Sequence, residues 1–227
     1  MKRLLLIILL PFCLWTIMFS PWTAPHLNFW LCMTCSAIIL TGLAFALDGP
    51  WWKHIEVPAG KALRYWVENI LLGIVIAIAL WGIFWVGDKL SQLIFPSFAR
   101  PQVNSIYGMK EGFNPLVLSL LLLFVIGPSE EIFWRGFLQK RLAEHLTNWP
   151  NWQIGPIKLD ARFWALVLGV AAYTLVHLFS LNFMLIMAAL VCGGAWGLLY
   201  WLWPNRFPAI LLSHALWDAA VFIWWPI

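Results

Sequence analysis

The chain has 227 residues, 63% of them hydrophobic and only 11% charged, with a mean hydropathy of +0.83. Globular domains carry about 25% charged residues, so a soluble protein is excluded. The net charge is +4 with no basic run interleaved with aromatics, so no nucleic-acid surface is expected, and eighteen Trp suit the headgroup level of a bilayer.

Met1-Lys2-Arg3 and the apolar run that follows have the basic and hydrophobic regions of a signal peptide. The run continues to residue 19 without a small-residue cleavage site, and Phe12 before Cys13 does not suit lipoprotein processing, so an uncleaved first span is expected. Residues 28–47 form a second span. Asp48 to His54 reads as a turn with interfacial tryptophans, and 58–65 as a short surface helix. Residues 70–87 are a third span, and 88–114, with Pro96, Pro101, Gly108 and Gly112, a loop.

The fourth span starts at Leu116 and runs on as a charged helix through Arg141 and Glu144, protruding from the bilayer. Residues 147–160, with two Pro and a Gly, form another loop. Residues 163–177, 183–203 and 207–225 bring the total to seven, each near the roughly 20 residues a crossing needs, with the first and fifth short. The expectation is an all-α, polytopic membrane helix bundle of about seven spans, within a range of six to eight. It divides into an N-terminal region, 1–114, of three spans and a loop, and a four-span core, 115–227. No internal repeat is visible. Cys13, Cys32, Cys35 and Cys192 lie in apolar stretches; Cys32-Met-Thr-Cys35 has redox-motif spacing without a βαβ context, so all four read as small packing residues.

With the N-terminus inside, cytoplasmic segments hold Lys2, Arg3, Lys53, Lys61, Arg64, Arg135, Lys140, Arg141, Lys158, Arg162 and Arg206, against Lys89, Arg100 and Lys110 outside. That bias fits the positive-inside rule. The N-terminus and the open side of any site are therefore expected in the cytoplasmic half, and the C-terminus outside.

Two adjacent acids, Glu130 and Glu131, end an uncharged run in the fourth span. A charge at a span's centre costs about 2.5–3.5 kcal/mol on insertion scales and is a functional-site hypothesis by default. Glu131 and Arg135 sit at i and i+4 in the favoured order for a helical ion pair, which can neutralise one carboxylate. Gly127-Pro128 just before them breaks the backbone ladder, and interrupted helices at membrane depth are tolerated where they line a cavity. His177 is the only ionisable residue of the fifth span; His214 and Asp218, one turn apart in the last, form a pair in which the acid can fix the imidazole tautomer.

Each feature has a plainer reading: solvated charges at a helix end (as for Lys140, Arg141 and Glu144), a packing histidine, a structural His–Asp pair. Five acids or imidazoles in three otherwise apolar spans are better explained by one polar cavity shared by the fourth, fifth and last. Depth raises a conflict. Glu130 lies about 21 Å along its helix from Leu116, and His214 about 10 Å from Phe207, on the same side, whereas His177 is about 21 Å from Phe163 and deeper. The fifth helix must start outside the bilayer, or the helices must tilt, for His177 to join the site.

Glu130-Glu131-x-x-x-Arg135, Tyr173-x-x-x-His177 and His214-x-x-x-Asp218, in that order, resemble the three motifs of the CPBP family, the CAAX-processing endopeptidases and bacterial relatives among bacteriocin-processing and immunity proteins. The resemblance runs from about Leu116 to Ala220, and Gly193-Gly-Ala-Trp-Gly197 fits it too. It implies peptide-bond hydrolysis inside the membrane, with Glu130 as the general base that activates water and His177 orienting that water. Glu131 and Arg135 would support them, and His214 with the last motif residue would stabilise the oxyanion. A carboxylate in a low-dielectric cavity makes a better base near neutral pH. The chain departs from the family at Asp218, where Asn is usual: an ionised Asp has no donor for an oxyanion, so Asp218 is either protonated or orients His214.

Glu130, His177, His214 and Asp218 would also suit Zn²⁺ or Mn²⁺, but there is no HExxH helix, and the expectation is a metal-free glutamate mechanism without a cofactor. The substrate would be a membrane-anchored protein or peptide, lipidated or carrying a C-terminal sorting helix, cut near its C-terminus. The resemblance implies a bacterial cytoplasmic membrane. The alternatives are a non-catalytic binding or immunity protein and a proton-coupled transporter; against the transporter stand the absence of a repeat and the single cluster of acids.

Overall fold

The computed structural model describes residues 2–227, with side chains from Leu6 onward; Met1 and the side chains of Lys2 and Arg3, which the charge count assigns to the inside, lie outside the described residues. The helices are α1 Lys2–Phe19, α2 Phe29–Asp48, α3 Ala62–Ile94, α4 Pro96–Gly108, α5 Pro115–His145, α6 Ala161–Val176, α7 Phe183–Leu202 and α8 Phe207–Ala219, which ends in a π-helical turn, Ala220–Trp224. Six of these segments (α2, α3 and α5 to α8) are long and apolar enough to cross a membrane, and Leu6–Phe19 is a shorter apolar helix. The molecule is an all-α polytopic bundle, its span number within the expected range.

The helix starts are written in the sequence. Asn28, Asn114, Asp160 and Asn182 each stand just before a helix and accept from backbone N–H groups of its first turn, at 2.9–3.4 Å. Those donors have no partner inside the helix, so an Asx cap is worth about 1 kcal/mol. Pro115 after Asn114 occupies the one position where its missing N–H costs nothing.

Two expected loops are structured. The third span absorbs both the surface helix and the start of 88–114, giving an α3 of 33 residues, and most of the remainder is α4. Pro96 fits the first turn of that helix, and Ala99 and Val103, one turn apart, bury the same face. In the 147–160 loop, β1 Trp152–Ile154 pairs antiparallel with β2 Ile157–Leu159, and Gly155 (φ +57°) supplies the positive φ that a two-residue hairpin turn of the II′ kind needs at its first central position.

The break expected at Gly127-Pro128 does not interrupt α5. The helix widens instead into π-helical turns, Leu122–Ile126 before the motif and Ile132–Gln139 after it, around an α-helical turn, Gly127–Glu131. A widened turn relieves the ring clash and absorbs the donor that Pro128 lacks. Gly127 is needed for packing: a Cβ there would lie 2.9 Å from Ala215 Cα, so α5 and α8 touch backbone to backbone.

The bundle has two distinct ends. Where α2, α5 and α7 finish and α3, α6 and α8 begin, Lys140 and Arg141 pair with Asp48 at 2.7 and 2.5 Å, and Arg206 with Glu68 at 2.7 Å. Lys53, Lys61, Arg64, Lys158 and Arg162 belong to this basic end, whereas Lys89, Arg100 and Lys110 belong to the other. Arg135, counted above as a cytoplasmic charge, is only 2% exposed inside the bundle and takes no part in that bias.

Candidate active site

A cavity of about 490 Å³ opens at the end opposite the basic loops. It is lined by the second halves of α3, α6 and α8, the first halves of α2, α5 and α7, and α4. The expectation that the site opens on the basic, cytoplasmic half is therefore corrected. It rested on the charge bias alone, and charges at the helix ends do not say which way the space between the helices extends. Phe98 of α4 packs on Phe183 of α7 with ring centroids 5.9 Å apart, whereas Ile94 and Phe95 at the end of α3 and Met187 and Val191 of α7 line the cavity and are exposed as well, so its apolar lining reaches the lateral surface of the bundle between α3 and α7.

Glu130, His177, His214 and Asp218 all line this cavity, brought together from α5, α6 and α8. Helix register resolves the depth conflict. Gly169 of α6 faces Gln139, and Arg135 lies over the Tyr173 ring at 4.6 Å, so His177, one turn on, is level with Glu131. Phe207, the first residue of α8, packs on Gly136. The fifth span thus begins far beyond the start of the last, beside the protruding end of α5.

The two adjacent glutamates serve different partners. Glu131 is fully buried; its Oε1 accepts from Arg135 Nη1 at 2.8 Å and lies 2.7 Å from His214 Nδ1, while Oε2 has no partner among the described residues. A carboxylate only accepts, so His214 Nδ1 carries the proton. His214 Nε2 faces Asp218 Oδ2 at 3.4 Å. Glu130 is outside this chain of charges: its Oε2 accepts from the Tyr173 hydroxyl at 2.7 Å. His177 Nδ1 lies 2.8 Å from the Tyr173 carbonyl, a pure acceptor, so that nitrogen is protonated and Nε2 is left as an acceptor.

Aromatic and small residues hold the frame. Trp196 stacks on the His214 ring at 3.8 Å and 14°, its indole N–H fixed by Ser213 Oγ at 3.0 Å. Arg135 Nη2 donates to the Gly193 carbonyl at 3.2 Å, and a Cβ on Gly193 would strike Tyr173 at 2.8 Å, which is the physical use of the small-residue stretch. Trp15 and Phe19 of α1 pack against His177. Sequence reasoning gave no role to Tyr173, Trp196 or Asp88, the last of which also lines the cavity. A Tyr one turn before a candidate His was a signal that could have been used; Trp196 sits among eighteen tryptophans and carried none.

No group of three or more His, Cys, Asp or Glu among the described residues is arranged to hold a metal ion.

Residues 112–220 match the family model described as type II CAAX prenyl endopeptidase Rce1-like. The matched stretch, just under half of the chain, contains each of the three motifs and all of the cluster, so this part of the chain is similar to the CAAX-protease (CPBP) family of membrane endopeptidases. With six helices long and apolar enough to cross a membrane, the chain is an integral multi-pass membrane protein whose second half resembles an intramembrane protease family. No curated protein and no solved structure matches it.

Proposed function

We propose that the chain is a metal-independent intramembrane endopeptidase in which Glu130 activates water against a peptide entering sideways from the bilayer. The observation that carries this reading is the division between the glutamates: Arg135 and His214 engage Glu131, while Glu130 stands at the cavity with only the Tyr173 hydroxyl on it. Glu130 takes a proton from water as the oxygen attacks the scissile carbonyl, with the unprotonated Nε2 of His177 as a second anchor for that water. The imidazolium form of His214 donates to Glu131 and offers Nε2–H to the cavity, where it can bond the developing oxyanion. Asp218 keeps that nitrogen oriented in place of a direct donor. Glu130 then returns the proton to the leaving amine.

The apolar lining and the lateral opening favour a membrane-embedded segment as substrate. The cut near its C-terminus, and lipidation or a sorting helix, follow the CAAX-type resemblance rather than the geometry. We also infer that the basic end faces the cytoplasm of a bacterial inner membrane, so that the cavity opens in the outer leaflet. The test compares the terminal peptides of the membrane proteome in a deletion strain complemented with nothing, with wild type, or with Glu130→Gln at equal protein level. A precursor that accumulates with both the empty and the Glu130→Gln strains supports the peptidase; full rescue by Glu130→Gln overturns it in favour of a binding protein.

A further inference from the structure

Asp88 was expected in a loop beyond the third span. It lies instead within α3, 7% exposed, and lines the same cavity as Glu130. Its Oδ2 accepts from Gln92 Nε2 at 2.5 Å, whereas Oδ1 is buried and has no partner among the described residues. None of the cations of this end reaches Oδ1. Lys89 Nζ is 4.0 Å from Oδ2 on a half-exposed side chain, and Lys110 Nζ is committed to the Phe222 carbonyl at 2.5 Å. Phe84 of α3 packs on Trp217 of α8 with ring centroids 4.7 Å apart. Asp88, one turn after Phe84, therefore stands about three residues' rise, roughly 4.5 Å, nearer the open end than Asp218.

A buried carboxylate oxygen without a donor is costly unless something fills it. A neutral N–H would satisfy the lone pair but leave the charge balanced only by the long, half-exposed Lys89 contact; a cation at Oδ1 satisfies both. Resting on the peptidase reading, we propose that Asp88 is a specificity subsite that takes a cationic side chain, lysine or arginine, of the substrate peptide a short distance along the chain from the bond facing Glu130. Substrate choice would then depend on one basic residue within or beside an otherwise apolar segment.

The experiment uses the purified full chain in lipid nanodiscs and apolar Leu/Ala peptides of about 20 residues, each with a single Lys, norleucine or Glu moved along the segment. Binding is read by fluorescence anisotropy on the Glu130→Gln protein, which need not cut, and cleavage on wild type. At one or two adjacent positions Lys is expected to bind about 10-fold more tightly than norleucine, a charge-assisted bond's worth. The preference disappears in Asp88→Asn and persists in Asp88→Glu. A Lys preference unchanged in Asp88→Asn, or none at any position with Asp88 intact, overturns the proposal. Because Asp88→Asn could fail to fold, a photoreactive lysine analogue at the preferred position provides a second reading: cross-links within residues 84–92 support the subsite, and cross-links only elsewhere overturn it. If wild type cuts no peptide yet the Asp88-dependent preference stands, it is the peptidase reading that fails.

Discussion

His214 Nδ1 and Glu131 Oε1 lie 2.7 Å apart, and the same oxygen takes Arg135 Nη1 at 2.8 Å. One buried atom therefore ties α5 to α8. Breaking a buried pair by removing one partner costs about 3–5 kcal/mol, so Glu131→Gln is expected to lower the melting temperature sharply and abolish cleavage with it. Glu130→Gln is expected to melt within about 2 °C of wild type while cleavage falls at least about 100-fold. Thermal unfolding in detergent, paired with a peptide cleavage assay, checks both; equal melting temperatures for the two variants would sink the division of roles.

Asp218→Asn is expected to be tolerated. An Asn oxygen still faces His214 Nε2, which lies 3.4 Å from Oδ2 now, and its amide adds a donor for the oxyanion. Turnover should stay within about threefold of wild type or rise, whereas Asp218→Ala, which leaves the nitrogen unsupported, should lose about 10-fold or more. A loss in Asp218→Asn as large as in Asp218→Ala would mean that the negative charge itself is required.

Gly127→Ala forces a Cβ to within 2.9 Å of Ala215 Cα, backbone that cannot swing away. Overpacking of this kind costs about 1–3 kcal/mol, and the displaced helix carries His214, so stability and turnover should fall together. Gly82 of α3 has nothing within 4 Å of the same test atom; Gly82→Ala should be neutral or stabilising by up to about 1 kcal/mol. Melting temperatures of the two variants decide the matter.

The basic end is expected in the cytoplasm. In intact cells, with the four native cysteines replaced by Ser, Glu111→Cys should react with a membrane-impermeant maleimide, and Asn151→Cys only after lysis; both positions are exposed. The reverse pattern would put the cavity on the cytoplasmic side.

The spans and the cluster were readable because their signals are local. Glu131–Arg135 and His214–Asp218 are one-turn spacings, and an uncharged run marks its own boundaries. What escaped depended on partners far away in the chain. Asp88 next to Lys89 reads as the start of a loop until Tyr107 of α4 is seen to share its cavity, and α4 itself hides behind Pro96 and Pro101. Arg135 counts as a cytoplasmic charge until Gly193 and Glu131 are found around it. The side on which the site opens was missed for the same reason: residue depth is legible along one helix, but empty space between helices belongs to none of them.

The segment roofing the cavity is fastened rather than hinged: Gln102 bonds to Asn182 and the Met184 amide, Met109 accepts from Trp30, and Tyr107 from the Ile227 amide. On the peptidase reading the way in is the exposed apolar edge of the cavity between α3 and α7. Encounter is therefore a search in two dimensions. The concentration that governs cleavage is the number of substrate molecules per lipid, so adding empty lipid at constant volume dilutes the reaction although nothing in the water has changed.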